Sequence, residues 1–489
     1  MSEPMSPSRR RWIFVAAMIV SFVAAIEVTI VATAMPTIVG ALGDFDLFSW
    51  VFIAYLLTQG VTVPIYGRLC DFYGRKRILY FGLVFFVLGS LLCGFAWSMP
   101  TLIAFRVVQG LGGGSLATVS QTMVSDLYPP AERAKVQGYI SGTFATAAFV
   151  GPIAGAFIVA HWPWPWVFWV NLPLCALIVV MLEATFVENV ELHSHKIDYL
   201  GSLLMALATF FLMYALTRAA TLPASTIALL LVSAVISFGL LLLQEKRARE
   251  PILPLDIWRN RIVILANAAS SSIGGMQMAV TAFLPAFIEG VLGEPPIRAG
   301  LALTALSFAW PTGGFVAGRA LLRMSYRRSS SLGSIVLISG ATMMAFLSPS
   351  LGANWALASS FLIGLGMGLT NMGFFVAIQA SIEWHQRGLV TATFNYSRII
   401  GQSIGTAIFG GIVNAALASR IEGGGDLASR ILDPTLRESM SPEQYGPLLD
   451  AFSSGVHVIF EINIALAVLT GIWALGLPRG LGVRGQMRK

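Results

Sequence analysis

The chain has 489 residues, of which 56% are hydrophobic and only 11% charged, about half the charged share of a soluble domain. With a mean hydropathy of +0.76, this composition excludes a water-soluble enzyme or binding domain and describes an all-α polytopic membrane protein. The net charge of +7 is accounted for by basic loops on one membrane face, which removes nucleic acid from the expected partners.

A helix needs about 20 apolar residues to cross a bilayer, at 1.5 Å of rise each. Fourteen such runs are predicted, at 12–38, 47–70, 77–96, 101–124, 133–160, 166–186, 199–218, 224–246, 262–288, 297–322, 328–348, 353–382, 388–419 and 455–477. The first begins at "SPSRRRWIF", which resembles a secretory or twin-arginine signal with "ATA" at 32–34 as its cleavage site. It is nevertheless predicted to remain as a helix, because it contains Glu27 and thirteen further spans follow. Spans seven and eight form a pair between two blocks of six, giving an N-terminal bundle at 1–187, inserted linker helices at 188–261 and a C-terminal bundle at 262–489. The segment 420–454 reads as a solvated connector before the last span, with a short surface helix predicted in 442–454.

Lys and Arg mark the cytoplasmic loops. With both termini inside, the opposite loops hold only Arg218, Arg298, Arg420, Arg430 and Arg437, while Arg106 and Arg398 lie within spans. The other 24 of the 31 basic residues fall in the termini, the cytoplasmic loops and their helix ends. A plasma (inner) membrane protein with cytoplasmic termini is expected. Cys70, Cys93 and Cys175 lie in or beside spans at no metal-binding spacing and read as small apolar residues, so no metal or cofactor is expected.

The two blocks carry an internal repeat. "MPTIVGALG" at 35–43 recurs as "LPAFIEGVLG" at 284–293, "GLGGG" at 110–114 as "GLGMG" at 364–368, and "GRLCDFYGRKR" at 67–77 as the degraded "GRALLRMSYRR" at 318–328. A direct repeat with an even number of spans gives two pseudo-symmetric halves in the same orientation, with substrate sites between them near the midplane.

In "GRLCDFYGRKRI", the inner loop after span two, Gly67 and Gly74 allow close approach and a tight turn, Asp71 can cap or pair, and Arg75 with Lys76 can hold a carboxylate or a helix C-terminus. The spacing Gly67, Asp71, Gly74, Arg75 resembles the signature loop of the major facilitator superfamily. "LIAFRVVQGLGGG" at 102–114 resembles its fourth-helix motif, with Arg106, Gln109, Gly110 and Gly114 in place. "GYISGTFATAAFVGPIAGA" at 138–156 resembles its fifth-helix antiporter motif at Gly138, Gly151, Pro152 and Gly155, with Ala147 and Ala156 where glycines are usual. "WPWVFWVNLP" at 164–173, "EVTIVATAMP" at 27–36 and "NYSRIIGQSIGTAIFG" at 395–410 resemble motifs of the fourteen-span drug:proton antiporter branch. Pro165 replaces a usual arginine, and Glu27 a usual aspartate. The resemblance implies multidrug efflux driven by proton influx, a gating role for the signature loop, an interface role for the fifth-helix motif, and coupling at the first-helix acid.

The charges inside spans carry a separate argument, because such residues usually face a protein interior and act. Glu27 lies ~22 Å in from the cytoplasm and Arg106 ~8 Å from the outer face of a ~30 Å core, so they are level and Arg106 is the expected counter-ion. Burial favours the neutral acid and the guanidinium favours the carboxylate, so the pair is either a titrating coupling site, where proton and cationic substrate compete, or a permanent structural link. Glu461, with His457 one turn before it, is either a second coupling acid or a wetted helix end. Arg398 either attracts an anionic substrate or stabilises the second half by bonding helix carbonyls and Asn371. Glu183 reads as a solvated terminus. Tyr55, Gln59, Gln109, Gln277, Asn371, Phe375, Gln379, Asn395 and Arg398 are the candidate lining of a substrate cavity.

No G-x-x-x-x-G-K-[ST] or H-E-x-x-H occurs, and the G-x-S-x-G spacing at 401–405 falls inside a predicted span rather than at a strand-to-helix turn, so neither an ATP-driven pump nor an intramembrane enzyme is expected. The expected protein is a monomeric exporter of amphipathic or cationic small molecules, working with protons in a lipid bilayer. Its alternatives are a dedicated exporter of one metabolite, lipid or siderophore, and a non-transporting sensor. The sensor is disfavoured by the shortness of both tails.

Overall fold

The computed structural model describes residues 7–127, 130–186, 198–219, 222–247, 255–382, 387–418 and 442–478. Its helices are α1 Pro7–Leu42, α2 Phe48–Tyr73, α3 Arg75–Gly94, α4 Met99–Leu127, α5 Pro130–His161, α6 Trp166–Trp169, α7 Asn171–Thr185, α8 Tyr199–Thr217, α9 Ala224–Arg247, α10 Arg261–Gly290, α11 Pro296–Ala320, α12 Tyr326–Ala345, α13 Gly352–Ala380, α14 Arg387–Ala418 and α15 Pro442–Leu475. With α6 and α7 taken together, each of the fourteen expected spans corresponds to helix. Thirteen of these helices are long and apolar enough to cross a membrane. The fourteenth, α12, has 20 residues, and its serines lower its apolar share. Two of those serines bond within the protein: Ser330 Oγ donates to the Thr370 carbonyl on α13 at 3.3 Å and Ser334 Oγ to the Ser330 carbonyl at 2.8 Å.

Two boundaries differ from expectation. The sixth span is broken at Val170, because Pro173 has no N–H for the carbonyl of Trp169. The last helix begins at Pro442 rather than near 455, so the surface helix expected in 442–454 is the first part of α15. Its buried Leu448 and Phe452 explain this, since they pack into the core. Of the connector, 419–441 lies outside the described residues.

α1–α7 form one half and α10–α15 the other. The internal repeat is repeated in the packing. In the first half α4 lies between α2 and α3: a methyl group at Gly110 would strike Thr58 on α2, and one at Gly112 would strike Phe86 on α3. In the second half α13 lies between α11 and α12 in the same way, with Gly364 against Leu306 and Gly366 against Leu337. Glycine here removes the Cβ that would hold the helix backbones apart. The inserted α8 packs on α2 and α14, closing the seam between the halves, and α9 packs chiefly on α8. Leu229, Val232, Val235 and Ile236 of α9 are exposed, an apolar face that suits lipid rather than water.

The bundle has two ends. Arg9 near the start of α1 bonds the carbonyl of Thr185 at the end of α7, and Gly476 past α15 lies against Leu265 near the start of α10. This end is called the terminal face, and the other, where α2 and α11 begin, the distal face. The halves are sealed together towards the distal face. Phe45 and Phe48 of the first half meet Phe452 and Phe283 of the second, each pair with ring centroids 5.5 Å apart, and all four rings are at most 2% exposed. Beside this plug, α5 and α11 touch, with a methyl at Gly300 placed 2.8 Å from the Pro152 carbonyl oxygen. Towards the terminal face each half has its own apolar cluster, around Ala17 and Val124 in one and around Val263, Phe374 and Phe394 in the other. This is a distal-closed arrangement.

Candidate functional site

Glu27 on α1 and Arg106 on α4 are fully enclosed, and Arg106 Nη1 lies 2.5 Å from Glu27 Oε1. The other carboxylate oxygen accepts from Asn171 Nδ2 on α7 at 2.7 Å. Arg106 also donates through Nε to the Val51 carbonyl on α2 at 3.1 Å and through Nη1 to Gln109 Oε1 at 2.7 Å. Gln109 Nε2 donates in turn to Ser90 Oγ on α3 at 2.9 Å. The guanidinium carbon sits 4.3 Å from the centre of the Tyr55 ring and 5.8 Å from that of Phe168. Gln59, 8% exposed, donates to Tyr55 Oη at 3.4 Å.

One charge pair therefore ties α1, α2, α3, α4 and α7 together in a dry interior. There each unmade bond would be costly and each made one is strong. The network still has slack, since Arg106 Nη2 and Asn171 Oδ1 are buried without a partner among the described residues. The pairing that depth arithmetic anticipates is present. Asn171 was not anticipated, yet the same arithmetic reaches it: it lies as far into the sixth span as Arg106 lies into the fourth, about 8 Å. Tyr55 and Gln109, expected in a substrate cavity, belong instead to this enclosed network. Both are 0% exposed because the guanidinium they hold must be shielded and satisfied.

The Major Facilitator Superfamily model matches residues 17–406. The chain belongs to the Major Facilitator Superfamily. It is 30% identical to Multidrug resistance protein 3 of Bacillus subtilis (strain 168), covering 92% of each chain. It is 31% identical to Multidrug transporter protein MdtP of the same organism, over 85% of this chain and 77% of that one. Among solved structures it resembles a bacterial homologue of the human lysosomal transporter Spinster in an inward-facing, unoccupied conformation, with a TM-score of 0.66, 15% identity, and 96% and 98% of the two chains covered.

The superfamily's signature loop sits on the terminal face. Gly74 has φ 88 and ψ 158, a conformation essentially closed to other residues. It ends α2, where both its own N–H and Arg75 Nη1 point to the Cys70 carbonyl, at 3.1 and 3.4 Å. Glu183 is exposed near the end of α7, a solvated helix end as expected, and Lys76 Nζ of the loop pairs with it at 3.2 Å. Gly67 is not tightly packed: a methyl there would meet Thr118 Cγ2 at an ordinary 3.7 Å. The Asp71 side chain lies outside the described residues.

On α5, methyl groups at Gly151 and Gly155 would strike Thr29 and Thr33 of α1, so these glycines pack within the first half. Contact between halves comes from the neighbouring Pro152 carbonyl and Ala156, both against Gly300 of α11. Gly138 lies on α5 where side-chain surroundings are outside the described residues.

Glu461 is exposed on α15 and is not brought to the Glu27 pair. His457 beside it bonds the Leu347 carbonyl through Nε2 at 2.6 Å. Of the remaining cavity candidates, Gln59 is buried on α2 beside Tyr55, and the others gather on α10, α13 and α14 and are partly exposed. Gln379 Nε2 donates to Thr391 Oγ1 at 3.1 Å, Phe375 lies 5.8 Å from the Phe394 ring, and Gln402 Nε2 donates to Gln277 Oε1 at 2.8 Å. Asn371 Oδ1 is buried without a partner among the described residues. Neither Asn395 nor Arg398 makes a side-chain hydrogen bond or ion pair among the described residues. The bond from Arg398 to Asn371 expected of a structural arginine is absent.

Proposed function

We propose that the protein is a proton-coupled secondary transporter that exports drugs or other amphipathic compounds by antiport, as a monomer in the plasma (inner) membrane. In this reading the terminal face is cytoplasmic, which the concentration of Lys and Arg in its loops supports, and the described state is inward-facing. No cofactor enters, and the proton gradient supplies the energy. The multidrug transporters to which the chain is similar support the direction of transport.

The observation that carries the reading is the sealed Glu27–Arg106–Asn171 cluster. Ionised, Glu27 holds Arg106 and Asn171 and so ties α1 to α4 and α7. Protonation removes the charge that Arg106 faces and loosens that tie, which is how a proton can be exchanged for a change in helix packing. Neither carboxylate oxygen is exposed, so a cation cannot compete with the proton for Glu27 in this state; coupling acts through the helices.

The test is gradient-driven export from proteoliposomes by Glu27→Gln protein. Loss of acceleration by a pH gradient, with probe binding retained, is the expected result. Full gradient-driven export by a folded Glu27→Gln protein would leave the pair a structural link only. A susceptibility panel with and without a protonophore separates broad efflux from export of one metabolite: protection against many compounds supports the first, and protection against none the second.

A further inference from the structure

We infer that Arg398 anchors the anionic group of the exported compound, so that the substrates of this transporter are amphipathic organic anions of the carboxylate class. The inference rests on the export reading above and narrows its substrate.

Arg398 lies eleven residues into α14, about 16 Å along the axis and close to the bilayer middle. Thr391, Asn395, Arg398 and Gln402 recur at i, i+4, i+7 and i+11, which places them on one stripe of the helix. On one side of that stripe α14 packs on α10, where a methyl at Gly274 would strike the Arg398 carbonyl. On the other it packs on α2, where Gly60 faces Tyr396 and Ile399. Since α10 belongs to one half and α2 to the other, the stripe looks into the space between the halves. The Gln402–Gln277 bridge and the phenylalanine plug close this space on the distal side.

A guanidinium stays charged at any pH the protein meets, and a charge in the membrane interior calls for a partner. Arg106 has Glu27. Arg398 has no carboxylate among the described residues, nor any other side-chain partner there. The contacts of Gln379 with Thr391 and of Phe375 with Phe394 put α13 antiparallel beside α14 in a register that brings Asn371 level with Arg398. Even so, the two do not bond. A partly exposed, unpaired guanidinium beside two amides and a phenylalanine is suited to a carboxylate. The planar fork takes both oxygens, Asn395 offers a further donor, and Phe375 receives an apolar body.

The same survey disfavours cations, because among the described residues the acid nearest this depth, Glu27, is enclosed and already doubly bonded, while Glu289 lies twelve residues beyond Gln277 towards the distal end of α10. Charge counting adds a consequence. Exporting a monoanion against one proton moves two positive charges inward, so a negative interior drives export directly, whereas a monovalent cation exchanged for one proton would move none.

The test uses full-length protein in nanodiscs and two fluorescent probes with one apolar body, pyrenebutyrate and a pyrenebutyl-trimethylammonium salt. Wild type should bind the carboxylate more tightly, and Arg398→Gln should weaken that binding by about tenfold to a hundredfold, as loss of a charge-assisted hydrogen bond implies, while leaving the cation unweakened. Arg398→Lys, which keeps the charge without the fork, should recover part of the loss and serves if the glutamine variant does not fold. Equal binding of the carboxylate by wild type and both variants, or a wild-type preference for the cation, overturns the inference. In proteoliposomes, Arg398-dependent carboxylate binding without gradient-driven movement would uphold this site and remove proton-coupled export. Gradient-driven movement of the cation alone would do the reverse.

Discussion

Glu27 and Arg106 hold each other where no water can take the place of either. Removing one partner strands the other, at a cost of about 3–5 kcal/mol for a buried pair, whereas removing both costs far less. Glu27→Gln and Arg106→Gln are therefore expected each to lower the thermal midpoint of the purified protein more than the double variant does, measured by unfolding in detergent. Asn171→Leu leaves one carboxylate oxygen without its donor and should cost about 1–3 kcal/mol. The two loop glycines should separate cleanly. Gly74→Ala places a side chain at φ 88 and should cost about 1–3 kcal/mol, with slower transport. Gly67→Ala meets only an ordinary contact and should leave both readouts near wild type.

At the scale of elements, glycine spacing decides which helices can touch. α4 and α13 each present alternate glycines to two neighbours, and Gly151 and Gly155 let α5 lie against Thr29 and Thr33 of α1. Gly155→Val would push into Thr33 and the Ile30 carbonyl, and the disturbance reaches Glu27 one turn away on the same helix. Loss of gradient-driven transport with the cation–carboxylate probe preference intact is the expected phenotype, scored in the same vesicles. The inserted hairpin is also tied in at the distal face. Arg218, just past α8, lies 3.5 Å from Asp46, whose carbonyl accepts from Asn414 Nδ2 of α14 at 3.0 Å. First half, insert and second half thus meet at one residue.

Across the whole molecule, alternating access requires the distal closure to come apart while the halves stay folded. Gly300 sits at that closure, against the Pro152 carbonyl and Ala156. Gly300→Val is expected to disfavour the distal-closed state: cysteines introduced at Phe149 and Thr304, whose backbone carbonyl and side chain now lie 3.5 Å apart, should cross-link less in the valine background. An unchanged yield would mean that α5 and α11 accommodate the side chain without opening.

Hydropathy suffices to read the helices, because bilayer thickness acts on local sequence. The motif around Arg106 and the depth of Glu27 suffice to anticipate their pairing, because axial rise is a property of each helix alone. Rotation about each axis is not local. Which way Tyr55, Gln109, Asn171 and Glu461 face is decided by packing against neighbours, so two residues read as cavity lining lie in a sealed network, one read only as a motif residue holds the carboxylate, and Glu461, read as either a coupling acid or a wetted helix end, is exposed. That Arg398 has no side-chain partner among the described residues belongs to the same class: no sequence pattern announces it, because partners are supplied by other helices.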